Sequence, residues 1–493
     1  MSRPKSERVV IAVALTTLCA AAVLAAYLGT WTDEEYTLGT TAHGPLYALG
    51  RALTYELQAP LYFVLESIWR EANLSLWWAR LPSLLCTFAL FFVFRRIGRR
   101  VDATSDPVWF ATLATLNPFV VFAAFEIRLY AFALLLAGAM WLLFDAGFIS
   151  ERNGRAAIGF IVVAIAAIYT QYFLGFALAG FGAALVVRRD RSALQRFALA
   201  CLPIAIAAAP LAVWAHQQIG GYDTEGPDVS FLLRHSALHP WMDFIFPYER
   251  DWDIVSWPRR TYDALVVLAA LTMLAARPRL SAAAWGWVVS AIVVEGAYVA
   301  LLVVLHVEID DRHYVGLYVP LAVAVYAVTR TVVASGRARY NRVFILTAVL
   351  TAAVLVTRYR HAAQPGDWAR VGAYLASAAR PGDAIVAYAA DVVPALRRTY
   401  HGDVPIVPFP ETPSPDAYAV DVLVVHSVAQ AERALAPLRG YRHVWFVDSV
   451  RCRSDEQSYG CINVMPAIRA AFAIRGERDF YGTKVLELTA SGR

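Results

Sequence analysis

Three carboxylates follow one another at Asp33, Glu34 and Glu35, in the stretch TWTDEEYTLG just beyond an apolar run. Glu126 and Arg128 stand one residue apart in FEIRLYAF, where two further apolar runs meet. EIDDRHY groups Asp310, Asp311, Arg312 and His313, and Gln171 is set among apolar residues in IYTQYFLGF. A hydroxyl attacking an electrophilic carbon must lose its proton, and a nearby carboxylate can accept it. A departing phosphate must have its charge balanced, and the planar fork of arginine does so with paired, charge-assisted hydrogen bonds. These are the parts needed to move a sugar from a lipid-linked phosphate, whose tail lies in the bilayer and whose reacting end sits at its surface. An acid in an open loop reads as a solvated rim. The turn holding Glu126 and Arg128 is too tight for easy access to bulk water, and an ionisable pair there points to a cavity.

The elements that must position these residues are membrane spans. Of 493 residues, 59% are hydrophobic and only 17% charged, with a mean hydropathy of +0.49. A soluble domain is nearer half apolar and a quarter charged. The net charge of +5 is small for this length, and no basic run is interleaved with aromatics, so nucleic acid is not an expected partner. Apolar runs suited to a bilayer fall near 9–30, 79–98, 108–124, 127–149, 156–170, 172–187, 196–214, 261–276, 283–305, 313–333 and 342–357, which predicts about eleven spans. Alternate connections carry RRIGRR, SERNGR, RRDRSALQR, ARPRL and RTVVASGRARYNR, whereas the other set holds most of the acids. The positive-inside rule then puts the N-terminus in the cytoplasm and the C-terminus outside, and the near-exclusive use of arginine over lysine fits a GC-rich bacterium, so the expected location is a bacterial cytoplasmic (inner) membrane. On this assignment Asp33, Glu34, Glu126, Gln171 and Arg312 share the outer face.

The predicted architecture is a polytopic α-helical membrane protein with a C-terminal extracytoplasmic α/β domain. Residues 1–357 form the transmembrane part, with external loops 31–78 and 215–260, and residues 358–493 form the α/β domain, where short β-branched runs alternate with helical stretches. Loop 31–78 is too long for a plain connection, and stretches such as PLYFVLESIWR suit helices lying at the interface. Trp241, Trp252 and Trp257 in loop 215–260 suit an interfacial belt better than a sugar platform. Cys19, Cys86 and Cys201 fall in apolar runs and read as core residues. Cys452 and Cys461, in CRSDEQSYGC, are spaced for a disulfide outside the cytoplasm.

The order DEEYT, QAPLYFVLESIW, ARLPSLL, NPFVVFAAFEIRLYAFALLL, YTQYFLGF and DDRHYVGLYVPL, over roughly 10–335, resembles the GT-C membrane glycosyltransferases. Within that class it looks nearest to bacterial relatives of protein O-mannosyltransferases and of the lipid A aminoarabinose transferase. The resemblance implies a GT-C fold, a polyprenyl-phosphate sugar donor, an inverting transfer outside the membrane, and a glycan, glycolipid or protein acceptor. It implies Asp33 as the base, Glu34 and Glu126 as further acids of the site, and Arg128, Arg312 and His313 at the donor phosphate. Tyr62, Arg80, Tyr130 and Gln171 would line the substrate cavity, with no metal and no cofactor. The chain departs from the family pattern at Gln58-Ala59, where a His-Pro pair is common, and at His313, where an arginine often precedes the tyrosine. A transporter or flippase of envelope precursors is the rival class. Against it, the span interiors are nearly free of charge apart from Glu295, and no two related halves are evident.

Overall fold

The structure is a computed structural model that describes residues 19–103, 107–219, 280–305, 311–332, 361–364, 366–414, 421–448 and 458–490, with a few isolated positions besides. Most of loop 215–260, with Trp241, Trp252 and Trp257, lies outside the described residues, as do span 261–276, most of span 342–357, Asp310 and Cys452. The chain divides into two compact units. One comprises Met1–Ala26, His43–Leu53 and Leu57–Arg358; the other comprises Tyr27–Ala42, Thr54–Glu56 and Tyr359–Arg493. The start of loop 31–78 therefore belongs to the same unit as the C-terminal residues.

In chain order, α1 (Thr32–Thr40) belongs to the second unit. The first unit continues with α2 (Pro45–Thr54), α3 (Leu61–Arg70), α4 (Leu76–Val101), α5 (Val108–Thr115) and α6 (Pro118–Phe125). It is completed by α7 (Tyr130–Phe144), α8 (Gly154–Thr170), α9 (Phe176–Arg188), α10 (Arg191–Ile219), α11 (Ala282–Leu305) and α12 (Val315–Val332). Among the described residues five helices are long and apolar enough to cross a membrane, or six if the bent pair α5 and α6 is one span. The protein is thus a polytopic helical membrane protein. The expected span 108–124 is broken by a 57° bend. Asn117 causes it by accepting the Phe119 amide at 3.0 Å, and Pro118 opens the next helix, where its missing N–H costs nothing.

The described arginine-rich connections gather at one end of this unit. Arg100 donates to Ser150 Oγ at 2.7 Å, lies 3.4 Å from Asp145 and pairs with Glu151. Arg152 meets Asp190 at 3.0 Å, and Arg330 pairs with Asp102. Because the helices between them alternate in direction, the turns at Glu126–Leu129, at Gln171–Gly175 and at Asp311–Tyr314 lie toward the other end. Near that other end α3 is clasped to the start of α4. Trp69 and Trp78 stack with centroids 4.4 Å apart, and each indole N–H donates to the other's carbonyl at 2.8 and 3.0 Å. The thiols of Cys19, Cys86 and Cys201 are free, the first exposed and the others half-buried, so none is the core residue expected.

The second unit is built on a five-stranded sheet of order β2-β1-β3-β5-β4. Its strands are β1 (Ala384–Tyr388), β2 (Ile406–Phe409), β3 (Val444–Val447), β4 (Phe472–Phe480) and β5 (Thr483–Ala490). β2, β1 and β3 run parallel, and β5 and β4 close the sheet antiparallel. AIVAY and VWFV are buried throughout, as parallel strands covered on both faces require. Val386 and Tyr388 pack with Phe409 and Phe446 on one face. Ile385 and Ala387 pack with Trp368 and Trp445 on the other. Pro408 is tolerated because β2 is an edge. The β4–β5 hairpin turns at Tyr481-Gly482, with Gly482 at φ +79°. Cys461 opens α16 (Cys461–Ala471) and is disulfide-bonded. The helices before it in this unit are α13 (Trp368–Ala378), α14 (Val393–Thr399) and α15 (Val428–Leu435).

Candidate active site

In the second unit the three acids sit in the first turn of α1, where negative charge is favoured by the helix dipole. They are held differently. Glu35 accepts the Thr30 hydroxyl at 2.6 Å and is gripped by Arg398 of α14, which reaches Oε1 through Nε and Oε2 through Nη2 at 2.8 Å. That bonding holds the Arg398 guanidinium above its usual basicity. The Glu34 carboxylate accepts the Trp31 amide at 3.4 Å, one half of a capping box; an indole has no acceptor to complete the other half. The N-cap is Trp31, so Asp33 stands two residues inside the helix and is not its cap. Asp33 and Glu34 are both buried, at 6% and 0% exposure. One turn along a helix is 3.6 residues, so their side chains project about 100° apart.

In the first unit Glu126 caps the C-terminus of α6, and Arg128 follows in the turn before α7. Glu126 is 0% and Arg128 4% exposed, so this turn is buried rather than open to water. The hydroxyl of Ser83, on α4, donates to the Glu126 carbonyl at 2.7 Å and fixes the turn against that helix. The Arg128 guanidinium lies 5.8 Å from the ring centre of Phe63 on α3, beside Tyr62. Tyr130 opens α7 and is fully buried, its ring 6.4 Å from Phe122. Arg80 is also fully buried, but its guanidinium donates to the Ala25 carbonyl at 2.7 Å. That bond anchors α4 to the helical stretch around residues 19–27.

Gln171 ends α8, buried, and its side-chain N–H₂ has no hydrogen-bond partner among the described residues. Its turn meets the segment before α12: the Phe173 ring lies 5.9 Å from that of His313, whose carbonyl accepts the Tyr298 hydroxyl at 2.9 Å. Gly316 permits this approach, since a Cβ there would come within 3.1 Å of the Phe173 carbonyl and 2.9 Å of the Tyr298 oxygen. Arg312 is buried within the same segment.

The chain resembles ArnT from Cupriavidus metallidurans, a lipid A aminoarabinose transferase, in the apo state, with 16% identity and TM-score 0.49 over 96% of this chain and 97% of that one. It resembles ArnT bound to undecaprenyl phosphate with 15% identity and TM-score 0.47, over 98% of each chain. It also resembles the Archaeoglobus fulgidus oligosaccharyltransferase in complex with Zn and sulfate, with 14% identity and TM-score 0.45, over 93% of this chain and 71% of that one. Both neighbours are GT-C enzymes. No protein-family model and no curated protein matches the chain. Likenesses at this identity and TM-score transfer no residue roles.

Several buried acids were not singled out in the sequence, Glu66 among them. Glu66, on α3, is 2% exposed with its Oε1 lacking a partner among the described residues. Burial lifts its carboxyl to about 8, against the opposing pull of Arg70. Its signal was an acid four residues before an arginine on an otherwise apolar ten-residue helix.

Proposed function

We propose that the protein is a membrane glycosyltransferase that moves a sugar from a polyprenyl-phosphate donor to an extracytoplasmic glycan, glycolipid or protein. The observation that carries this reading is the buried Glu126–Arg128 turn between two apolar helices, on the side of the bundle away from the arginine-rich loops. Charged groups are placed there at a cost that a solvated rim would not incur. In this reading Asp33 takes the proton of the acceptor hydroxyl as its oxygen bonds to the anomeric carbon. The carbon–phosphate oxygen bond breaks, inverting that carbon, and polyprenyl phosphate leaves with its charge held by Arg128 and Arg312, with His313 beside them. Glu34 and Glu126 shape the site, and Tyr62, Tyr130 and Gln171 line it. The N-terminus is cytoplasmic and the C-terminal unit extracytoplasmic.

The test is to incubate the purified protein with polyprenyl-phosphate sugars in membranes containing candidate acceptors and to follow donor consumption by mass spectrometry. Undecaprenyl phosphate, the lipid seen bound to ArnT, is the carrier to try first. Glu295, half-buried on α11 with neither carboxylate oxygen hydrogen-bonded among the described residues, is the one feature favouring a flippase. A flippase would move the donor across the bilayer and leave it intact.

A further inference from the structure

At the end of the first unit where the arginine-rich loops meet, a cavity of about 340 Å³ is lined by Arg100, Arg188, Arg330, Trp141, Trp287 and Ser150, among others. That volume lies in the range of small-ligand sites. The proposed sugar transfer takes place toward the other end of the bundle and does not use it. Two of its arginines are committed: Arg330 pairs with Asp102, and Arg100 is shared among Asp145, Ser150 and Glu151. Arg188 is not. It makes no hydrogen bond or ion pair among the described residues, and its Nε is shielded from water with no acceptor. Its guanidinium lies 5.3 Å from the ring centre of Trp287, an aromatic support that still leaves N–H groups to offer a ligand. Asp145 and Asp190 act on it only through space. Trp141, 1% exposed, has an indole N–H that likewise lacks an acceptor.

The wall of the cavity is unusual as well. After α7 the helix widens into a π-turn over Asp145–Ile149, with the Ser150 amide bonded to the Asp145 carbonyl at 2.8 Å. Such turns are rare and concentrate at functional sites. This one brings the Ser150 hydroxyl to Asp145 at 2.8 Å and to Arg100. Of the three arginines in the lining, Arg188 is the one with no carboxylate bonded to it among the described residues. Unmatched donors and one unmatched cation call for an anion with acceptors on several sides, which describes a phosphate ester. The cavity lies at the ends of α4, α7, α11 and α12, the depth at which lipid headgroups sit. We propose that it binds the phosphate of an anionic membrane lipid, with Arg188 as the binding cation, Trp141 as a second donor and the two indoles beside the apolar part.

The test uses the full protein in neutral detergent, with phosphatidylglycerol and sodium phosphate as separate probes, read by native mass spectrometry and thermal unfolding. Phosphatidylglycerol should remain bound and raise Tm, and sodium phosphate alone should do neither. Arg188→Gln should weaken lipid binding at least tenfold, whereas Arg189→Gln, at the exposed neighbour, should leave it unchanged. Trp141→Phe keeps the ring but removes the N–H, so it should weaken binding even if Arg188→Gln folds poorly. Equal lipid retention in wild type, Arg188→Gln and Trp141→Phe would overturn the proposal. So would an equal loss in Arg189→Gln, which would indicate general surface attraction, or full stabilisation by sodium phosphate alone, which would indicate a soluble ligand.

Discussion

Glu35→Gln separates the structural acid of DEEYT from the acids assigned to chemistry. The Glu35 carboxylate accepts three bonds, one from Thr30 and two from Arg398. A glutamine retains a single acceptor oxygen and turns an N–H₂ toward a guanidinium. Removing one partner of a fully buried ion pair costs about 3–5 kcal/mol. Here Glu35 is 4% exposed but the Arg398 side chain is 40% exposed, so water can resolvate the arginine and the cost falls to roughly 1–3 kcal/mol. For a unit of this size each kcal/mol lowers Tm by about 2–8 °C. Thermal unfolding of purified Glu35→Gln should therefore show a clear loss, while the rate of sugar transfer by the folded fraction stays within about twofold of wild type. Adding Arg398→Met should recover part of the loss, because the second substitution removes the charge left behind. An unchanged Tm together with a hundredfold slower transfer would refute this division and move the catalytic carboxylate to Glu35.

Three further outcomes follow from the same geometry. The Glu66 carboxyl is raised from its ordinary 4.5 to about 8, so the folded state holds this proton more tightly than the unfolded one; the associated stability is full below pH 4.5 and is lost as pH climbs toward 8. Tm should thus fall between pH 5 and pH 8 in wild type and fall less in Glu66→Gln, and equal falls would exclude Glu66 as the cause. Arg128→Lys keeps the charge but loses the paired fork, so the KM for donor should rise about tenfold or more; an unchanged KM in Arg128→Ala would rule out phosphate binding there. If Cys452 is the partner of Cys461, the ring of about ten residues adds on the order of 2–3 kcal/mol, and neither thiol should label in denatured, unreduced protein.

The helical bundle was legible because bilayer burial and arginine placement are written locally, in runs of about twenty residues and in the loops between them. The same holds for the Glu126–Arg128 turn, whose flanking helices are apolar all round. Less legible was anything decided by a partner distant in sequence. Glu35 looks like its neighbours in DEEYT, and only Arg398, 363 residues on, gives it a structural task. Arg80 reads as a cavity residue in the sequence, and its bond to the Ala25 carbonyl, 55 residues back, has no local signal. The Trp69–Trp78 clasp and the Arg188 cavity also depend on spatial neighbours. The break in span 108–124 and the β4–β5 hairpin are different: Asn117-Pro118 and Tyr481-Gly482 are local signals, outweighed in reading by the apolar and β-branched residues around them.

The most direct test of the account is the transfer rate of Asp33→Asn, measured beside its donor affinity and Tm. The variant keeps the side chain's shape but removes its charge and its ability to take a proton, and since Trp31 is the N-cap, helix capping is not at stake. Loss of a general base lowers the rate about 10²–10⁴-fold. The account predicts at least a hundredfold slower transfer with donor affinity and Tm unchanged. Transfer at near wild-type rate would contradict it and send the search for the base to Glu34 or Glu126.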